Sequence, residues 1–161
     1  MQQTTLCYLV KGNPPKQILL GMKKRGFGAK KLNGIGGKTH DKETILAAAV
    51  RELEEEICVK VNEKDLEKIG EIDFFFPFVS AEKNWNQTTH VFAIKKWLGT
   101  PAETEEIKPF WIEAAKLPFE QMWKDDPHWM PLLLANKKFK GKFVFAEDNE
   151  SIKEFRVQEQ K

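Results

Sequence analysis

Cysteine is scarce in this chain of 161 residues, which carries only Cys7 and Cys58. Two thiols cannot build a disulfide framework, so the expected setting is a reducing one, the cytoplasm. Long hydrophobic runs are also missing. The apolar run Leu6 to Val10 is too short for a membrane span or a signal sequence, and no basic residues precede it. Neither sign of charge dominates: 26 basic against 24 acidic side chains leave a formal charge of +2. That balance argues against polyanion binding, so neither nucleic acid nor membrane is expected as a partner. There is no internal repeat, low-complexity tract or convincing linker. The expectation is one domain over residues 1–161, acting as a monomer, with a core that needs no disulfide or structural metal.

What is present reads as strands and helices that share one core. "TTLCYLV" and "KQILLGMKKR" are expected as strands joined by the turn residues "KGNPP". "GFGAKKLNGIGGKTH" is expected as a long glycine-rich loop, and a loop of that length is usually functional. Ile45, Ala49, Leu53 and Ile57 then repeat at helical spacing, with Asp41 as the expected N-cap. "LEKIGEIDFFFPFVS" and "TTHVFAIKKWLG" are expected as a strand pair and "IKPFWIE" as a short strand. "DPHWMPLLLANKK" is expected as a helix packing Leu132 to Leu134 on the sheet, and "GKFVFAEDNESIKEFRV" as a hairpin with "EDNE" at its turn. Together these predict an α/β fold with a mixed sheet flanked by helices.

The chemistry concentrates between Asn33 and Ile57, "NGIGGKTHDKETILAAAVRELEEEI". Glu52 and Glu56 lie one helical turn apart and Glu55 sits beside both. Like charges in that relation repel by a few tenths of a kcal/mol, so a bound cation is the natural compensation. Carboxylate oxygens suit a hard divalent ion that shares its coordination with substrate phosphates. Arg51 can pair with Glu55 at i+4 and with Glu43 two turns earlier. The "GIGG" run lets the backbone approach a ligand and exposes main-chain groups near the helix N-terminus. An acidic helix face is ordinarily just solvated, but the spacing here is specific. Gly37, five residues, Glu43, seven residues, Arg51-Glu52-Leu53, one residue and Glu55-Glu56 resemble the signature of the Nudix hydrolases at every position but one. The exception is Cys58, where the signature has glycine.

The resemblance extends along nearly the whole chain. "LLGMKKRGFGA", "NGIGGK", "THVF", "GTP", "PFEQMW", "WKDD", "PLLL" and "KKF" follow the order of the MutT homologues in that family that hydrolyse oxidised purine nucleoside triphosphates such as 8-oxo-dGTP. It implies an α/β/α sandwich with the glycine loop and helix at its centre. The implied reaction is Mg2+-dependent, with Mn2+ as a substitute, and yields a monophosphate and pyrophosphate from 8-oxo-dGTP or 2-hydroxy-dATP. Arg51, Glu52, Glu55 and Glu56 would be the catalytic residues. The metal ligands would be Glu52, Glu55, Glu56, the Gly36 carbonyl and Glu106. Lys23 would bind the substrate, and Lys38 would sit over the phosphates, with Gly37 in the loop. Trp123, Asp125, Asp126 and Asn33 would read the base, with Tyr8, Phe27, Ile35, Phe74, Gln87 and Lys124 around them.

Two adjacent aspartates facing one pocket do not both ionise easily, so one is expected to keep a proton and donate. Capping of the helix that begins near Pro127 is an alternative use of the same pair. Cys58 is expected to force a local adjustment, since a left-handed non-glycine residue costs about 1–2 kcal/mol. Tyr8, Leu32 and Gln87 depart from the implied pocket, and the segment "PFVSAEKNWNQ" is long enough to cover its mouth. These departures bear on substrate choice. Other Nudix substrates, or a silent nucleotide-binding module, are the competing readings, and the intact acidic set weighs against the module.

Overall fold

The computed structural model describes residues 1–161. The strands are β1 Gln2–Lys11, β2 Gln17–Lys23, β3 Leu32–Asn33, β4 Glu67–Phe75, β5 Gln87–Ile94, β6 Ile107–Glu113, β7 Lys138–Phe145 and β8 Ile152–Gln160. Two helices accompany them, α1 Ile45–Ile57 and α2 Asp126–Leu134. The strands form one mixed sheet in the order β3-β2-β1-β5-β4-β7-β8, with β6 also on β2. The β1–β5 and β4–β7 pairs are parallel and the others antiparallel.

Side chains alternate across a strand, and β1 shows how that splits the core in two. Cys7 and Leu9 join Ala49, Leu53 and Ile57 of α1 on one face. Tyr8 and Val10 join Trp129, Met130 and Leu133 of α2 on the other. The result is the expected α/β/α sandwich. Leu133 is buried, and Leu132 and Leu134 pack partly against the same cluster.

β1 and β2 pair only at Val10 with Ile18 and Lys11 with Gln17, and then part. The glycine run lies along β1 in the opening. Thr5 N donates to Gly37 O at 2.9 Å, Cys7 N to Ile35 O at 2.6 Å, and Ile35 N back to Cys7 O at 2.8 Å. The expected loop is therefore, in this part, an extended ribbon hydrogen-bonded to a core strand. Gly36 makes that approach possible, because a Cβ there would strike the Thr5 carbonyl.

Three local expectations are corrected. Thr44, not Asp41, caps α1: its Oγ1 accepts from Ala47 N at 3.1 Å. His40 and Glu43 close a turn first, with His40 N donating to Glu43 Oε1 at 3.0 Å and Glu43 N to His40 O at 3.1 Å. That turn leaves Asp41 outside the helix. Cys58 undergoes no adjustment, and sits left-handed at φ 62° and ψ 28° as the C-cap, its N–H donating to Glu54 O. The second helix stops at Leu134, and Lys138 already opens β7. The final hairpin is as expected, its turn tied by Asp148 Oδ1, which accepts from Glu150 N and Ser151 N.

Candidate active site

The parting of β1 and β2 opens a cavity of about 300 Å3 that reaches from the α2 face of the sheet to the end of α1. Its wall on the α2 side comes from alternate residues of the strands: Thr4 and Leu6 of β1, Gln87 and Thr89 of β5, and Phe74 of β4. Asn33, Trp123, Asp125 and Asp126 close one end. Lys23, Gly36, Gly37, Lys38 and Glu56 form the other.

The first end is a buried polar pair against aromatic walls. Asp125 and Asp126 are 4% and 1% exposed. Asp125 Oδ2 accepts from Trp129 Nε1 at 2.9 Å, and Asp126 Oδ2 accepts from Trp123 N at 3.2 Å. Neither carboxylate accepts from an amide of α2, so the capping alternative falls away. Burial pushes the Asp125 carboxyl up to about 6, and burial with the charge of Asp125 raises Asp126 well above the usual carboxylate range. A desolvated pair of like charges keeps at least one proton near neutrality, which gives the site both a donor and an acceptor. Tyr8 lies behind the pair, fully buried in the core, its hydroxyl donating to Asn33 Oδ1 at 3.5 Å. Gly34 N donates to the same Oδ1 at 2.9 Å. With its carbonyl committed, Asn33 has its Nδ2 free to donate into the cavity.

At the other end Arg51 organises the acids. Its Nε and Nη2 meet the two Glu43 oxygens at 2.8 and 2.9 Å. Its Nη1 donates to Glu52 Oε1 at 3.0 Å and Glu55 Oε2 at 3.1 Å, and Nη2 also donates to Lys38 O at 3.1 Å. The hydrogen bonds from Arg51 hold the Glu43 carboxyl down at about 2. Glu52 is buried against Gly37, where an added Cβ would come within 2.6 Å of Glu52 Oε1. Glu56 lines the cavity, and burial, followed by the charge and hydrogen bond of Glu52, pushes it up to about 8.

No three acidic side chains converge closely enough to hold one ion. Glu52 and Glu56 lie together, and the other two expected acids are paired with arginines. Glu55 shares Arg51 Nη1 with Glu52, and Glu106 is bound by Arg25, which holds its carboxyl low. The donors that remain still suit a hard divalent ion. A buried carboxylate pair that retains a proton has a place for positive charge. Beside it the Gly36 carbonyl has no hydrogen-bond partner, whereas those of Ile35 and Gly37 are taken up by β1.

Of the residues expected at the site, Lys23, Phe27, Asn33, Gly36, Gly37, Lys38, Glu56, Phe74, Gln87, Trp123, Asp125 and Asp126 line the cavity. Tyr8 and Ile35 lie behind the wall, Ile35 on the α1 face of the core. Lys124 is exposed and outside the lining. Sequence reasoning missed Thr4, Leu6, Lys31, Phe76, Thr89 and Phe145, which the cavity adds. Thr4 and Leu6 share the strand face of Tyr8, so period-two alternation was a usable signal for them. Phe145 is contributed by a distant strand and had none.

Comparison with known proteins gives consistent matches. The NUDIX domain profile matches residues 2–133. An oxidized purine nucleoside triphosphate hydrolase from Mus musculus is 42% identical over 159 residues, covering 99% of this chain and 97% of that protein. A protein of the same name from Danio rerio is 47% identical over 131 residues, 81% of this chain and 80% of that one. The solved structure of a MutT protein from Bacillus halodurans superposes with a TM-score of 0.80, covering 98% of this chain and 97% of that one at 23% identity.

Proposed function

The chain belongs to the Nudix family, and from that premise we propose that it hydrolyses oxidised purine nucleoside triphosphates, 8-oxo-dGTP or 2-hydroxy-dATP, to the monophosphate and pyrophosphate. The observation that carries the substrate choice is the buried Asp125–Asp126 pair, with Asn33 and Trp123 on the same cavity. A carboxyl that keeps its proton presents a donor beside an acceptor, and the edge of an oxidised purine presents the complementary groups. The relatives named above carry the matching name over most of this chain's length. No helix is long and apolar enough to cross a membrane. The proposed setting is the cytoplasm, where the enzyme would act on the free nucleotide pool as one catalytic unit over residues 1–161.

Nudix hydrolases generally use divalent metals, and Mg2+ is the ion proposed here, with Mn2+ as a substitute. Glu52, Glu56 and the Gly36 carbonyl would hold it, with Glu55 and Glu106 free to join by releasing Arg51 and Arg25. When bound, such an ion polarises phosphate oxygens and lowers the pKa of a coordinated water. The protein's own residues do the remaining work. Arg51 anchors Glu52 and ties the helix to Lys38 and the glycine ribbon. Lys23 and Lys38 line the cavity, and Lys38, on the glycine ribbon, would meet phosphate charge. The depth of the Asp125–Asp126 end fixes the base, and with it the position of the phosphates relative to Glu56.

Glu56→Gln tests the catalytic half of this reading. The variant should fold normally and lose kcat by orders of magnitude, as the wild type should when its divalent ion is chelated. Near-normal turnover by folded Glu56→Gln would remove Glu56 from the chemistry.

A further inference from the structure

The connection between β4 and β5, Phe76 to Asn86, reaches the cavity mouth. Asn86 Oδ1 accepts from Phe76 N at 2.8 Å and so closes the segment on itself beside the sheet. Trp85 is thereby set against two cavity residues. Its ring centroid lies 4.6 Å from that of Phe27, tilted by 50°, and 5.5 Å from that of Phe76, edge-on at 86°. Phe27 in turn lies 5.1 Å from Trp123. Trp85 itself is not part of the cavity lining.

Phe27 needs this support. It is 50% exposed, and it stands in the turn Gly26–Gly28, whose flanking glycines are left-handed at φ 82° and 83°. No strand pairs with the turn's tip at Gly26–Gly28. The base of the segment is tied to β2 by Lys30 N donating to Lys23 O at 2.8 Å, and Lys24 N donates to Glu106 O at 2.9 Å. At the tip Lys23 Nζ donates to Phe27 O at 2.9 Å, Ala29 N to Gly26 O at 3.1 Å and Lys31 N to Gly28 O at 3.1 Å. An exposed ring on a glycine-flanked turn is free to leave the mouth unless another surface holds it. Trp123 holds it from the cavity side. On the other side Trp85 makes the nearer contact, at 4.6 Å, and Phe76 lies edge-on at 6.5 Å.

We propose that Trp85 is a positioning residue for substrate binding: through its contact with Phe27 it holds the Gly26–Gly28 turn over the base end of the cavity. This rests on the reading of the cavity as a nucleotide site. Trp85 touches no reacting group, so its removal affects binding and leaves the chemical step alone. An aromatic pair of this kind corresponds to about two- to tenfold in an equilibrium constant, and that is the expected rise in KM.

The experiment compares wild type, Trp85→Ala and Trp85→Phe by two readouts. The first is steady-state kinetics on 8-oxo-dGTP, with KM and kcat separated. The second is amide hydrogen exchange over residues 24–31 without nucleotide. Trp85→Ala should raise KM two- to tenfold at unchanged kcat and speed exchange in the turn, and Trp85→Phe should restore both. Unchanged exchange and unchanged KM in Trp85→Ala would overturn the proposal, as would a fall in kcat alone that Trp85→Phe does not rescue. If the wild type fails to hydrolyse 8-oxo-dGTP while Trp85→Ala still frees the turn, the positioning role stands and the substrate reading falls.

Discussion

Asp125→Asn separates recognition from stability, because Asp125 has a different neighbour on each side. Toward the core its Oδ2 accepts from Trp129 Nε1 at 2.9 Å, and Trp129 is fully buried. Toward the cavity it stands beside Asp126 at the base end. An asparagine of the same shape can keep its carbonyl on Trp129. Its amide then points into the cavity, where an acceptor becomes a donor. Any base edge that donated to Asp125 meets a donor, and the buried mismatch costs about 1–3 kcal/mol. That corresponds to roughly 5- to 150-fold in kcat/KM. Asp125→Ala differs in kind, since it strips Trp129 Nε1 of its buried partner. A loss of about 1–3 kcal/mol lowers the Tm of a chain this size by roughly 2–12 °C. The assay is kcat/KM for 8-oxo-dGTP, 2-hydroxy-dATP, dGTP and dATP, together with thermal melts. Asp125→Asn should reorder the substrates without lowering Tm, and Asp125→Ala should lose both. A substrate ranking unchanged in Asp125→Asn would refute the role of Asp125 in reading the base.

Cys58→Gly should stabilise the protein by about 1 kcal/mol, a rise of roughly 2–4 °C in Tm, because glycine takes the left-handed C-cap without Cβ strain; an unchanged or lower Tm would show that no strain resides there. Stability of the metal-free protein should fall as pH rises from about 4 to about 8. Glu56 and Asp125 are raised in the folded state, from 4.5 to about 8 and from 3.8 to about 6, so between those limits the folded chain holds protons that the unfolded chain has lost. Glu43 acts in the opposite sense: it is lowered to about 2, so its contribution is present above its unfolded value and is lost as pH falls toward 2. Melts across pH in the presence of a chelator check this. Glu56→Gln should flatten the slope above about pH 6, and a Tm that rises steadily from pH 5 to 8 would contradict the burial of these carboxyls.

Much of this molecule could be read before its structure. A mixed sheet with helices on its faces followed from strand alternation and the helix at Ile45 to Ile57, and the sandwich from the resemblance; the cavity gathers most of the residues expected to touch nucleotide. The misreadings come from interactions that spacing does not encode. Asp41 and Thr44 are both competent caps, and the choice was made by a turn between His40 and Glu43. The Arg51–Glu55 pair was legible at i+4 spacing, but the Arg25–Glu106 pair joins residues far apart in sequence and was not. The glycine run looked like a free loop because β1, its hydrogen-bonding partner, lies on the far side of a turn and a strand. Phe145 reached the cavity wall from β7, next to Phe76 at a centroid distance of 4.7 Å. Such pairings are set by sheet order, which no local pattern contains.

The central claim is a divalent-ion-dependent hydrolysis that prefers oxidised purines. Its most direct measurement is the release of monophosphate and pyrophosphate from 8-oxo-dGTP, 2-hydroxy-dATP, dGTP and dATP by the wild-type protein, with Mg2+ and with chelator. The prediction is that both products appear in equal amounts, only with the ion present, and faster from the oxidised nucleotides than from their normal counterparts. Equal kcat/KM on all four, or release of orthophosphate instead of pyrophosphate, would contradict it.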